Sequence, residues 1–106
     1  MKSESFRLLE DDWNAVRDLA SMFRYFVRNR KYGYVDRLAN AYNPRVAEIT
    51  IREALREARS AFDQNEKVHL PSEDNVKRVI ELINKDLSIA GLLAALSLAF
   101  PEKRGG

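Results

Sequence analysis

A chain of 106 residues and 12.2 kDa has room for one modest core and too little for two. Hydrophobic residues at 45% against charged residues at 32% support a packed interior beneath a charged surface and argue against general disorder. The formal net charge is only +2 although the sequence pI is about 9.0, and the absence of cysteine excludes a disulfide framework and thiolate metal sites.

Gly and Pro are scarce, which favours helices over a turn-rich sheet. Residues 1–10 read as polar, irregular and flexible. Asp11 and Asp12 then offer capping and helix-dipole complementarity at the start of a first helix. Its apolar stripe is Trp13, Val16, Ala20, Phe23 and Val27, widened by Leu19 and Phe26. Gly33 is expected to end or bend this helix. Tyr34 to Tyr42 reads as a short second helix with Val35, Leu38 and Ala39 on one side, closed by Asn43 and Pro44. Arg45 opens the longest helix, in which Ile51, Ala54, Leu55, Ala58 and Phe62 keep helical spacing to about Gln64. Residues 65–71 form a connection.

Ser72 is an N-cap residue, followed by Glu73 and Asp74 in the first turn of a fourth helix that buries Val76, Val79, Ile80 and Ile83 and stops near Leu87. Ser88 is placed to cap a fifth helix, Ile89 to Phe100, which is apolar nearly all round, as the central element of a bundle would be. Pro101 terminates it, and 102–106 reads as a loose tail. No repeat or low-complexity tract interrupts the chain. Residues 1–106 are thus expected to form a single all-α domain, a compact bundle of about five helices. Met1 to Asp12 has no apolar signal-peptide core, and the longest apolar run is far shorter than the roughly 20 residues that span a bilayer. A cytoplasmic protein with no membrane partner is the expectation.

Reaction templates find little here. His69 is the only histidine, it falls in the 65–71 connection, and no carboxylate cluster joins it, so it reads as a surface residue and not a metal ligand. Helix capping accounts for Glu10, Asp11 and Asp12. With no Gly-rich phosphate loop and no nucleophile beside a base, the expectation is a protein without enzyme activity, cofactor or metal.

Positive charge, by contrast, is patterned. At about 100° per residue, Arg17, Arg24, Arg28 and Lys31 share a narrow sector of the first helix, beside its apolar stripe. Arg30 and Arg37 extend this cluster, and Asp36 is the only acid between Arg24 and Arg37. Arg45, Arg52, Arg56 and Arg59 occupy a second sector, on the third helix. Arg52 and Arg56 stand at i and i+4, where like charges repel, so stability alone would not choose them. Two readings stay open. One is a solvated face with ion pairs such as Glu48 to Arg52 and Glu53 to Arg56. The other is a pair of stripes that track a nucleic-acid backbone, since Arg suits bidentate phosphate contacts and Tyr25, Tyr32 and Tyr34 beside it can stack on unpaired bases.

The block Tyr34-Val35-Asp36-Arg37-Leu38-Ala39-Asn40-Ala41, a long Arg- and Glu-rich helix after it, and the block Leu93-Ala94-Ala95-Leu96-Ser97-Leu98-Ala99-Phe100-Pro101 carry a family likeness. The chain resembles the small subunit of archaeal type I-A CRISPR-associated interference (Cascade) complexes, from about Tyr34 to Pro101. The resemblance implies a non-catalytic helical subunit of an RNA-guided surveillance complex in antiviral defence. Its partners would be the backbone and large subunits, further copies of itself, and the guide RNA with target DNA or the displaced single strand. Guide pairing would read sequence, leaving this protein to contact backbone and shape. Asp36, Arg37 and Asn40 would fix helix packing or subunit contact. Longer relatives carry a strand-rich insertion after the central helix, for which Asn65 to Pro71 leaves no room.

On this reading Arg24, Arg28, Lys31, Arg52, Arg56 and Arg59 lead as phosphate contacts. Two other classes of function are compatible with the residues. A stand-alone regulator would use Tyr34 to Tyr42, the Asn43-Pro44 turn and the helix from Arg45 as a helix-turn-helix. A pure assembly adaptor would dock a protein on exposed apolar surface and leave both arginine faces in water.

Overall fold

Helix α1 spans Glu10–Arg28 and begins with three acids in its first turn, Glu10, Asp11 and Asp12. Asp12 does the capping: its carboxylate reaches back to accept the Leu9 N–H at 3.0 Å, satisfying one of the amides that a helix start leaves without a partner. The computed structural model of the chain describes residues 7–99. The expectations for residues 1–6, Phe100, Pro101 and 102–106 lie outside that range. Within it, Glu10 is already helical and Leu8 packs against the core, so the irregular stretch expected over 1–10 does not reach residue 10.

The first helix does not run to Gly33. Arg30 takes φ 61, and the reversal is closed by Arg30 N–H to Val27 O at 3.0 Å and Lys31 N–H to Phe26 O at 2.8 Å. This is the Schellman arrangement, in which a left-handed residue turns the chain back onto the last open carbonyls. Gly33 instead opens α2 (Gly33–Ala39). That helix is shorter than Tyr34 to Tyr42 because Asn40 turns back, its backbone N–H and side-chain amide both donating to Asp36 O, at 3.0 and 2.8 Å.

Helix α3 spans Pro44–Asp63. Asn43 caps it by accepting the Val46 N–H at 2.9 Å, and Pro44 fills the first helical position, where no amide is needed. Its far end repeats the α1 device, with Asn65 at φ 66 and Glu66 N–H on Ala61 O at 3.0 Å. Helix α4 (Glu73–Lys85) starts under the expected Ser72 cap, which accepts the Asn75 N–H at 3.1 Å. Helix α5 (Ser88–Ala99) has Ser88 as its first residue and not as its cap. The Asp86 carboxylate takes the Ser88 N–H and hydroxyl at 3.0 and 2.7 Å.

These five helices form an all-α bundle, with no strand among the described residues. Its central element is α1, which packs against α4 and α5 and also touches α2 and α3. Ala15, Val16, Leu19, Ala20, Met22, Phe23 and Phe26 of α1 are wholly buried. The Phe26 ring lies 5.1 Å from Tyr25 and 4.9 Å from Tyr34, both edge-on, the geometry aromatic quadrupoles favour. The expectation of a central α5 is therefore corrected. Ile89, Ala90, Leu93, Ala94 and Ser97 face inward, but Gly91, Ala95, Leu98 and Ala99 are exposed. Helix α5 is apolar all round yet covered on one side only. Its inner side meets α1 and α2.

Candidate nucleic-acid interface

Past Arg17, the line of charge that starts on α1 is tied to other elements of the bundle. Arg17 is exposed, bonded to Asn14 Oδ1 at 3.3 Å and lying 5.7 Å over the Trp13 ring. Arg24 is half-buried and donates to Ser21 Oγ at 3.4 Å and to the Leu96 carbonyl of α5 at 3.5 Å. Arg28 reaches the Lys67 carbonyl in the α3–α4 connection at 3.2 Å. Lys31, past the helix end, pairs with Glu57 of α3. One sector at the helical pitch thus fans out to several elements, because these long side chains settle wherever a neighbour offers an acceptor.

Around Lys31 the chemistry is that of a structural knot. Glu57 accepts from Lys31 and from Tyr34 Oη, the latter at 2.6 Å, and these two donors hold its carboxyl below the usual carboxylate range. The same bond raises the Lys31 ammonium above its ordinary value. Burial, reinforced by Glu57, pushes the Tyr34 phenol up to about 12. Tyr25 rises too, through burial first and then the Glu66 carboxylate that its hydroxyl meets at 3.4 Å. Tyr25 and Tyr34 are therefore core-edge residues, and neither ring is offered to a base. Arg37 bonds Glu53 at 2.9 Å and stands 5.3 Å over Tyr34, fastening α2 to α3. Arg30 is exposed at the chain reversal.

The α3 row is disposed differently. Arg52 and Arg59 converge on Glu73 of α4, at 3.0 and 3.7 Å, and Arg52 chiefly holds that carboxyl low. The anticipated pairs Glu48 to Arg52 and Glu53 to Arg56 do not form, since Glu73 and Arg37 take the partners from neighbouring helices. Arg45 and Arg56 are exposed, and among the described residues neither guanidinium makes a hydrogen bond or ion pair. Arg45, Arg52 and Arg56, together with Glu48 and Glu53, line a depression of about 320 Å³ over Ile49, itself 44% exposed. The first turn of α3 contains no acid, so the positive end of its dipole adds to Arg45. The arrangement suits an anionic ligand with some apolar surface.

One polar constellation gave no sequence signal. Asp18 of α1 meets the His69 ring Nε2, the Ser72 N–H at 3.1 Å and the Asn75 side-chain amide at 2.8 Å. Burial acts to raise its pKa, but the bonds from Asn75, His69 and Ser72 outweigh it and hold the carboxyl low. His69 is exposed as expected, yet it serves with Asp18 to strap the 64–72 connection onto α1. Only its partners 51 and more residues away identify it. Likewise Asp12 bonds Arg78 of α4 at 3.0 Å in addition to capping α1. No group of His, Asp or Glu among the described residues is arranged to hold a metal, and no helix there is long and apolar enough to cross a membrane.

No protein-family model, curated protein or solved structure matches the chain.

Proposed function

We propose that this protein is a non-catalytic helical subunit that holds a nucleic-acid backbone along the outer face of α3. Its setting is the RNA-guided CRISPR interference (Cascade) complex whose small subunit the sequence resembles. The observation that carries the reading is the pair Arg45 and Arg56, two exposed guanidiniums on one helix face with no carboxylate partner among the described residues. At ~1.5 Å per residue they stand about 16 Å apart along the axis, with Arg52 between them. Repulsion along such a row costs a few tenths of a kcal/mol, and a polyanion would convert it to attraction. Of the α1 row, Arg24, Arg28 and Lys31 are left out of the interface because they are bonded to other elements of the bundle, and Arg17 because it lies on its own helix against Asn14 and Trp13.

Contact of this kind is electrostatic and sequence-tolerant. Pairing with the guide reads the target, while the arginines position the strand beside the backbone and large subunits of the cytoplasmic antiviral complex. Contact between α2 and α5, the helices that carry most of the two blocks, is compatible with the resemblance.

Anisotropy of a labelled oligonucleotide tests the reading. Binding should weaken linearly in log–log form with salt, and Arg45→Gln and Arg56→Gln should each lower that slope by about one. The double reversal Arg45→Glu with Arg56→Glu should abolish binding by the free protein and weaken target capture by the reconstituted complex. Unchanged binding in both settings would overturn the proposal. A strong preference for one duplex sequence would point to a helix-turn-helix regulator instead.

A further inference from the structure

We infer that Arg52 and Arg59 form a masked extension of the α3 phosphate track, and that the Glu73 carboxylate is its built-in competitor, displaced when a nucleic-acid phosphate takes its place. This rests on the reading of α3 as the phosphate contact and names how that contact is held in check.

Glu73 is the first residue of α4, and its carboxylate sits between two guanidiniums of the neighbouring helix. Oε2 lies 3.0 Å from Arg52 Nη1 and Oε1 lies 3.7 Å from Arg59 Nη2. Arg52 and Arg59 are about two turns of α3 apart, so both reach one point from the same face. An anionic group that turns one oxygen to each guanidinium is what a phosphate would present there. The acids of α3 that line the depression do not act in this way. Glu53 pairs with Arg37 of α2 at 2.9 Å, and Glu48 makes no ion pair among the described residues. Two guanidiniums share the one Glu73 carboxylate, so the cluster keeps a positive charge and still draws an anion toward it.

The backbone that carries Glu73 is fixed while its side chain is not. Ser72 N–H and the Asn75 side-chain amide both bond the Asp18 carboxylate, at 3.1 and 2.8 Å, and Asn75 N–H bonds Ser72 Oγ at 3.1 Å. The start of α4 is thereby held on α1. The Glu73 side chain is 44% exposed and meets the arginines only through exposed ion pairs. Such pairs are weak, and a polyanion competes with them. A displaced Glu73 has a second partner on its own helix, because Lys77 stands exposed at i+4 and its charge already acts on the Glu73 carboxyl. Glu before Lys is the favourable order for such a pair. Rotation of one side chain thus releases two arginines without moving a helix. The row then runs from Arg45 through Arg52 and Arg56 to Arg59, about 21 Å along the axis.

The test measures anisotropy of one labelled DNA duplex with wild type, Glu73→Gln and Glu81→Gln. The last removes an equal charge from an exposed position about two turns further along α4. Glu73→Gln should bind roughly three- to tenfold tighter, as expected when one or two exposed ion pairs no longer compete. Its salt slope should be steeper by about one, because in the wild type the displaced carboxylate takes up a cation that offsets one released from the DNA. Glu81→Gln should change affinity by less than about twofold, since salt screens a remote charge. In a chain that already carries Arg52→Gln and Arg59→Gln, the gain from Glu73→Gln should shrink to about that of Glu81→Gln. Circular dichroism and thermal unfolding check that each variant is folded, as expected for exposed positions. Equal affinity and slope for Glu73→Gln and wild type would make Glu73 a fastener of α3 to α4 and overturn the inference, while the phosphate contact stands if Arg45→Gln still lowers the slope. Equal gains from Glu73→Gln and Glu81→Gln would reduce the effect to net charge and overturn it likewise. Loss of every effect of Arg45 and Arg56 would remove both readings.

Discussion

Replacing Asp18 with Ala tests whether the strap between α1 and the start of α4 carries stability. The carboxylate is 18% exposed and accepts from Asn75 at 2.8 Å, from Ser72 N–H at 3.1 Å and from His69. Hydrogen bonds to a charged acceptor contribute about 1.5–3 kcal/mol when buried and less when water competes. The Asn75 bond is worth about 1.5 kcal/mol on that scale, the exposed Ser72 N–H about 1, and the half-exposed His69 pair about 0.5. Ala returns roughly 0.6 kcal/mol of helix propensity, so the net loss is about 2 kcal/mol. In a domain of this size that lowers Tm by about 10 °C. Because the folded pKa of Asp18 lies below its unfolded value, the stabilisation is complete above the ordinary carboxylate range and is lost as pH falls through the folded value. Urea unfolding at neutral pH should therefore separate the two proteins, and the gap should narrow in acid. A difference below about 0.5 kcal/mol at neutral pH, within the range of ordinary surface substitutions, or a gap that persists after the carboxyl is protonated, would refute the reasoning.

Arg30→Gly should stabilise the protein, by up to about 1 kcal/mol, because Arg30 holds φ 61 without a side-chain bond among the described residues to compensate. The same change at Asn65, φ 66, should gain less, since Asn tolerates the left-handed region, and paired denaturation curves compare the two. In an ultraviolet absorbance titration of the native protein, Tyr34 should remain protonated until about pH 12. Since its unfolded counterpart ionises near 10, stability should fall as pH rises between those values, and a Tyr34→Phe variant should lack that part of the fall.

Much of the fold is written locally. The apolar stripes of α1, α3 and α4, the Asn43 and Ser72 caps and the stop near Gln64 depend on residues within a turn or two of one another, so spacing alone exposes them. The Schellman turn at Arg30 escapes such a reading because it is a backbone state taken by a residue that ordinarily avoids it, and the visible glycine, Gly33, serves a different purpose. The centrality of α1 over α5 is also invisible locally. Both present wide apolar surfaces, and only the packing decides which of them is enclosed.

The candidate site divides along the same line. Spacing on a helix of known pitch places Arg45, Arg52, Arg56 and Arg59 on one face, so that grouping belongs to the sequence itself. Which of these charges stays available belongs to the tertiary structure. Glu73 captures Arg52 and Arg59 from 21 and 14 residues away, Glu57 captures Lys31 across 26, and Arg45 and Arg56 remain exposed with no partner among the described residues. Long charged side chains pair with whatever the packed helices bring within reach, and that proximity exists only once the apolar stripes have docked.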